Sequence, residues 1–388
     1  MAPKSQRPGE TDLRAVLQTV EEPVLGVSIG ELAMVREISF SNGTATVVLA
    51  LVLPPDWSEI ELRHRITMAL ASLPDVARVE IETHFMSDDE LARAAMVLKG
   101  EPPPDPLRLV DASQAGQSQP RARSNPFTDS TTRVIAVASG KGGVGKSSVT
   151  TNLAIALAQR GKSVAAVDAD VWGFSMPRML GVTHPPALID DVIVPPGAYG
   201  VRLVSMGFFA REDQAVVWRG PMLHKALEQF LTDVHWGNPD YLLVDMPPGT
   251  GDVSISIAQF LPRAEVIVVT TPQPAAQKVA QRAAAMAEKV NLAVLGVIEN
   301  MSWFVGDDGT RYEIFGSGGG EELSTELGVP LLGRVPLVPA LREGGDDGRP
   351  IVAVDPTSEA ALAFSAIAER IDVELVPKRV YRTELKLT

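Results

Sequence analysis

The chain has 388 residues, 45% hydrophobic and 21% charged, enough material for more than one buried core. Its formal net charge of -13 opposes broad attraction to nucleic acid or to an anionic membrane surface, so neither is expected as a partner. The absence of cysteine excludes disulfides, a thiol nucleophile and any thiolate-held metal or cluster built from this chain alone.

No apolar run reaches the roughly 18 to 20 residues that span a bilayer, and Met1 to Asp12 has no apolar stretch of the signal-peptide kind. The expected location is the cytoplasm. His64, His84, His184, His224 and His235 contain no pair at i, i+4, so no helix-face metal site is expected from them.

In chain order, LRAVLQTV has helical spacing, AMVREISFSNGTATVVLALVL reads as two strands joined at Ser41-Asn42-Gly43, SEIELRHRITMALASL returns to a helix, and VARVEIETHF reads as a strand. Residues 1–100 are therefore expected to form a small α+β domain. Residues 101–130, rich in Pro, Ser, Gln and Arg, read as a linker. From 131 to 372 apolar strands at Val134–Ala138, Val164–Val167, Tyr241–Val244, Val266–Thr270 and Ala293–Ile298 alternate with helical segments such as Ser147–Gln159, Met222–Val234 and Ala275–Val290. That alternation predicts an α/β fold with a mostly parallel sheet covered on both faces, its ligand site beyond the carboxyl ends of the strands. Residues 373–388 read as a tail in which Pro377 and the residue alternation disfavour an amphipathic membrane helix. Trp218, Trp236, Trp303, Met206, Met222 and Met246 read as packing residues.

Between the first of these strands and the helix after it stands ASGKGGVGKSS. Gly140, Lys141, Gly142, Gly143, Val144, Gly145, Lys146 and Ser147 satisfy G-x-x-x-x-G-K-[ST], and Ser148 completes the stretch read as ATP-binding. Glycines let successive N–H groups approach a phosphate at a helix N-terminus; Lys146 is expected to neutralise the β- and γ-phosphates, and Ser147 to ligate Mg²⁺. In DYLLVDMPPGTGD, Asp245 ends an apolar strand where the second Mg²⁺ group is expected, and Gly249, Thr250 and Gly251 form a turn suited to sensing the γ-phosphate. In VAAVDADVWGFS, Asp170 is placed to orient a water; the alternative for Asp168 and Asp170 is a solvated strand end or a helix cap.

Lys141 is a second loop lysine. It stands too early in the loop to curl easily onto its own γ-phosphate, which points to a finger role on the nucleotide of a facing subunit in a two-fold homodimer.

KGGVGKS with this early lysine resembles the deviant Walker A loop of the MinD/ParA class of P-loop ATPases. DADVWGFSMPRMLG, WRGPMLHKALEQFLTDVHWGNPDYLLVDMPPGTGD, TTPQPAAQKVAQRA and GVIENMSWF together resemble the Mrp/ApbC iron-sulfur cluster carriers, and VEEPVLGVSIGELAMVREI resembles the MIP18-type (DUF59) domain that precedes many of them. The resemblance implies a Mg-dependent ATPase, a homodimeric switch that binds [4Fe-4S] clusters and transfers them to apoproteins or exchanges them with cluster-assembly proteins. It implies Lys141, Lys146 and Asp170 as catalytic residues, Asp245 as the Walker B acid, Asn300 as an adenine contact and Val335-Pro336 beside the base. Many members carry C-x-x-C after the E-N-M-S string; alignment puts Gly306 and Gly309 there, so this chain supplies no cluster ligands. Asp307, Asp308 and Tyr312 are hard donors, and GDDG reads as a β-hairpin turn. The alternative reading is a MinD/ParA-like regulatory or positioning ATPase without a cluster.

Overall fold

A computed structural model describes residues 9–53, 57–100, 125–128, 130–171, 173–189, 192–209, 220–249 and 252–375. The linker segment 101–124, Thr250, Gly251, Trp218 and residues 376–388 lie outside the described residues. The chain divides into two compact units, the first comprising residues 1–123, 186–195 and 233–237 and the second the remainder.

The first unit opens with α1 (Glu10–Leu17), which buries Leu13 and Leu17, one helical turn apart. Strands β1 (Val35–Ser41) and β2 (Thr44–Leu51) are joined by Asn42 and Gly43 with φ of 49° and 79°; two consecutive positive φ values are what a two-residue type I′ hairpin requires. After α2 (Trp57–Ala71), whose Leu62, Ile66 and Leu70 line one buried face, β3 (Arg78–Phe85) adds parallel to β2 in the order β1-β2-β3. Helix α3 (Asp88–Leu98), which the sequence reading passes over, starts at a capping box in which Ser87 N donates to Glu90 Oε2 at 2.7 Å.

The second unit follows as β4 (Arg133–Ser139), α4 (Lys146–Gln159), β5 (Val164–Asp168) and α5 (Met176–Met179). The chain then makes a short hairpin, β6 (Ala187–Ile189) and β7 (Val192–Val194), that belongs to the first unit. Its Ile189, Val192 and Val194 share one apolar core with Leu13, Leu49 and Ile66. In the same unit Val234 bridges to Ile193, and His235 Nε2 donates to Leu25 O at 2.8 Å. The apolar core of residues 1–100 is thus shared with β6–β7, and residues 233–237 join the same unit through backbone bonds.

Strands β8 (Gly197–Ala198) and β9 (Val201–Ser205) lead to α6 (Gly220–Thr232), β10 (Tyr241–Asp245), α7 (Asp252–Phe260), β11 (Glu265–Thr270), α8 (Pro274–Lys289) and β12 (Ala293–Asn300). A hairpin of β13 (Phe304–Val305) and β14 (Arg311–Tyr312) precedes α9 (Gly319–Leu327), β15 (Leu331–Val335), α10 (Pro339–Asp346), α11 (Ile351–Val354) and α12 (Glu359–Glu369). The sheet order is β15-β12-β11-β4-β10-β5-β9-β8, parallel throughout except for β8. The α/β expectation holds. Strands β4, β5, β10 and β11 are buried on both faces, which is why they read as continuous apolar runs rather than alternating ones. Met206 and Met246 are buried as expected, but Met222 is 46% exposed on α6: its place near the start of the helix carries it off the face that buries Leu227, Phe230 and Leu231.

Phe364 of α12 is fully buried in one core with Leu153 and Leu157 of α4. Phe364→Ala is expected to lower unfolding free energy by about 3 to 5 kcal/mol through lost burial and the cavity left behind, read as a shift in urea midpoint.

Candidate functional site

The phosphate-type loop lies between β4 and α4, and β4 has β10 on one side and β11 on the other. The strand order reverses direction there, the position at which open parallel sheets bind ligands. Register puts Asp245 of β10 directly beside Asp168 of β5, so two carboxylates end adjacent strands next to the loop.

Gly145 closes the loop at φ 78° as the N-cap of α4, a conformation that favours glycine, and a Cβ there would also strike the Asn300 amide. At Gly142 and Gly143 the opposite holds. A Cβ at either would meet no heavy atom within 4 Å, so this part of the loop faces open space, the room that a phosphate cradle needs.

Lys146, Ser147 and Thr150 occupy the first turns of α4 and converge on one carboxylate. Lys146 Nζ donates to Asp245 Oδ2 at 2.7 Å, Ser147 Oγ to the same oxygen at 2.6 Å, and Thr150 Oγ1 to Asp245 Oδ1 at 2.7 Å. Asp245 is fully buried and Lys146 is 6% exposed, so the pair is desolvated and depends on these hydrogen bonds. Asp170 Oδ2 stands 3.7 Å from the same ammonium, while its Oδ1 accepts from Gly173 N. The predicted Lys146, Ser147, Asp170 and Asp245 therefore form one cluster. Thr150 was missed, although its spacing of four from Lys146 on a helix is the signal that finds it.

The remaining predicted residues surround this cluster or lie elsewhere. Buried Val144 offers its carbonyl to Asn300 Nδ2 at 2.9 Å, which ties the loop to the end of β12. Asn300 Oδ1 is buried with no hydrogen-bond partner, and Val335 pairs with Asn300 in register. Ser148 turns away from the cluster: its hydroxyl lies 4.0 Å from Met179 Sδ and its carbonyl accepts from Asn152. Lys141 Nζ donates to Gln273 Oε1 at 3.2 Å. Gly249 N donates to Ser139 O, anchoring the start of the expected sensing turn.

This donor set suits a nucleoside phosphate and a hard divalent cation. It offers a helix N-terminus, an ammonium, a hydroxyl and a strand-end carboxylate, with an unsatisfied acceptor in Asn300.

Comparison with known proteins agrees. Residues 130–372 match a family described as NUBPL iron-transfer P-loop NTPase, and residues 10–82 match one described as iron-sulfur cluster assembly protein. The chain belongs to the NUBPL iron-transfer P-loop NTPase family. Relatives named iron-sulfur cluster carrier protein include one from Mycobacterium tuberculosis, 44% identical over 92% of this chain and 91% of its own length. Another, from Bacillus subtilis, is 40% identical over 84% and 88%. Among solved structures, a nucleotide-binding protein with ADP from Archaeoglobus fulgidus aligns at TM-score 0.52 and 34% identity, covering 60% of this chain and 91% of that one. The cell division ATPase MinD of Pyrococcus furiosus aligns at 0.50 and 27%, covering 63% and 99%.

For a family named for iron transfer, the hairpin β13–β14 has an unexpected chemistry. Gly306 and Gly309 are its turn, with Gly306 N donating to Thr310 O and Gly309 N to Gly306 O, both at 2.9 Å. Asp308 is already engaged, accepting from Thr310 N at 2.9 Å and Thr310 Oγ1 at 2.7 Å; the backbone N–H bond chiefly holds its carboxyl below the usual range. Arg311 stacks 3.5 Å over the Trp303 ring, whose Nε1 donates to Glu359. Among the described residues no group of three His, Asp or Glu side chains is arranged to hold a metal ion. The turn is stapled by its own side chains and presents no soft donor to an iron-sulfide cluster.

Asp168 is fully buried and plays a part the sequence reading left between two options. It is the helix cap: its Oδ2 accepts from Ser175 N, Met176 N and Ser205 Oγ at 3.0 to 3.3 Å, and its Oδ1 from Asp170 N. It thereby fixes the segment that carries Asp170. Burial, and next the Asp245 charge, push its pKa up to about 7 against Lys146 and these donors. A raised folded-state value means that this group stabilises the fold fully below about pH 4, and that the contribution is lost as pH rises through about 7. Urea midpoints should therefore fall from pH 5 to 8. Asp168→Asn, less stable overall through lost acceptor bonds, should flatten that slope; an unchanged slope would mean Asp168 titrates elsewhere.

Proposed function

We propose that the chain is an ATP-hydrolysing switch of the iron-sulfur cluster carrier type, working as a homodimer and serving apoproteins or cluster-assembly proteins. The observation that carries its nucleotide half is the convergence of Lys146, Ser147 and Thr150 on Asp245 at the mouth of an open glycine loop, and the carrier half is supported by the relatives' names. Asp245 accepts from the Lys146 ammonium. Phosphate binding is then an exchange of anions, in which Lys146 turns from Asp245 to the β- and γ-phosphates and leaves Asp245 and Ser147 able to hold Mg²⁺. Mg²⁺, when bound, offsets charge on those phosphates. Asn300 Oδ1 is suited to accept from the adenine amino group, and Val335 packs beside it. Asp170, held by its bond from Gly173 N, orients the water that attacks the γ-phosphorus. Lys141 reaches the nucleotide of the second copy and stabilises charge as the leaving oxygen departs.

The carrier's cargo is a cluster for which this chain has no thiolates. We infer that the soft ligands come from the proteins that donate or receive the cluster, while this chain contributes the nucleotide-driven change of shape. Soluble action in the cytoplasm fits a chain with no described helix long and apolar enough to cross a membrane. The regulatory alternative, a MinD-like positioning switch, has in its favour only the shared fold.

Two experiments test this reading. Lys146→Ala should abolish tight ATP binding by fluorescent-nucleotide titration, with folding checked by circular dichroism because Asp245 loses its cation. Lys141→Ala should bind ATP normally and hydrolyse it about 10²- to 10³-fold more slowly. Normal hydrolysis by Lys141→Ala removes the trans-lysine role.

For the cargo, anaerobic reconstitution with iron and sulfide should leave the wild-type chain colourless and iron-free. Gly306→Cys/Gly309→Cys should gain visible charge-transfer absorbance and bound iron. A Cβ at Gly306 meets the Asp308 and Tyr312 side chains at 2.9 and 3.0 Å, so Asp308 must shift against its bonds to Thr310, and Gly309 at φ 76° is strained by about 1 to 2 kcal/mol. Stoichiometric iron on the wild-type chain would overturn the external-thiolate reading.

A further inference from the structure

Lys141 is held at its backbone by two neighbours. Ser139 Oγ donates to Lys141 O at 3.1 Å, and Gly140 lies so close to α8 that a Cβ there would collide with the backbone of Val279 and Ala280. With the backbone on both sides of the Lys141 Cα in contact, the side chain is the freer part of this residue. That side chain donates to Gln273 Oε1 at 3.2 Å.

Gln273 is the N-cap residue of α8, yet its side chain makes no capping bond, so its amide oxygen serves the lysine. Among the described residues Lys141 pairs with no carboxylate, in contrast to Lys146, which faces Asp245 and Asp170. A cation near a helix N-terminus is repelled by the helix dipole, so the resting place of Lys141 is favoured by the amide and opposed by α8 itself. Such a balance holds a rotamer without trapping it. A neutral acceptor gives way to phosphate, whereas a carboxylate would compete with it.

We propose that Gln273 is a positioning residue that parks Lys141 against α8 until a second nucleotide-bound copy is presented, and that its release is a step in turnover. This rests on the reading that Lys141 serves the partner's nucleotide.

The test is ATP turnover, measured across protein concentration and salt, for wild type, Gln273→Glu, Gln273→Ala, Lys141→Ala and Lys141→Ala/Gln273→Glu, with melting temperatures alongside. Gln273→Glu should slow turnover about two- to fivefold, the size of a partly exposed ion pair, and the inhibition should fade at high salt. Its melting temperature should equal or exceed that of wild type, because an acidic group suits a helix N-terminus; a merely structural glutamine would not separate activity from stability in this direction. Gln273→Ala should raise turnover about two- to fivefold at limiting protein concentration. In the Lys141→Ala background Gln273→Glu should change nothing.

The proposal fails if both Gln273 variants match wild type while Lys141→Ala is impaired, and the trans-lysine reading then survives. It also fails if Gln273→Ala slows turnover, or if the Gln273→Glu effect persists without Lys141. If Lys141→Ala hydrolyses ATP normally, the underlying reading itself is at fault.

Discussion

The ion pair between Lys146 and Asp245 is the constraint around which the second unit is arranged. Two opposite charges buried at the centre of a sheet edge are costly to desolvate, and they are tolerated only where every lone pair and proton finds a partner. Here the carboxylate receives the ammonium, the Ser147 hydroxyl and the Thr150 hydroxyl. Those three donors come from one helix and the acceptor from a strand 95 or more residues later. The pair therefore fixes the start of α4 over the end of β10, and the glycine loop has its shape because the helix is held there. A site built this way has its ammonium and hydroxyl already converged on one strand-end carboxylate at the mouth of the glycine loop.

Much of this arrangement is visible in the residues themselves. A glycine-rich loop between an apolar strand and a helix has few other uses, and an aspartate at the end of a four-residue apolar run has an obvious place beside it. What the sequence hides is register. Asp168 and Asp170 are two residues apart, and period-two alternation along a strand cannot say which faces the loop and which caps α5; the answer depends on Asp168 lying beside both Asp245 and Ser205. Gln273 is hidden for the same reason, because its meeting with Lys141 depends on β11 lying next to β4.

The first unit shows a different limit. Its hairpin was legible from Asn42-Gly43, since only certain residues accept two successive positive φ values. Its full core was not. Ile189, Val192 and Val194 stand in a short, proline-bounded segment within the stretch that matches the P-loop NTPase family, where local patterning suggests a loop excursion. They are buried in one cluster with Leu13 of α1, Ile66 of α2 and Ala94 of α3, partners that lie far off in sequence. A core shared between residues 1–100 and Ile189, Val192 and Val194 makes the first unit depend on a segment about ninety residues further along the chain for its own packing.

The same distinction between shape and chemistry applies at the β13–β14 hairpin. Its backbone path does not depend on a metal: the Gly306–Thr310 bond, the Asp308–Thr310 pair and the stacking of Arg311 on Trp303 close the turn from within. Iron-sulfide binding is decided by donor softness, which cannot be recovered by rearranging oxygen ligands. Nucleotide binding is decided by main-chain amides and one ammonium, and those are intact. In this chain, then, nucleotide binding and iron-sulfide ligation are separable in physical terms, and the residues present suit the first without the second.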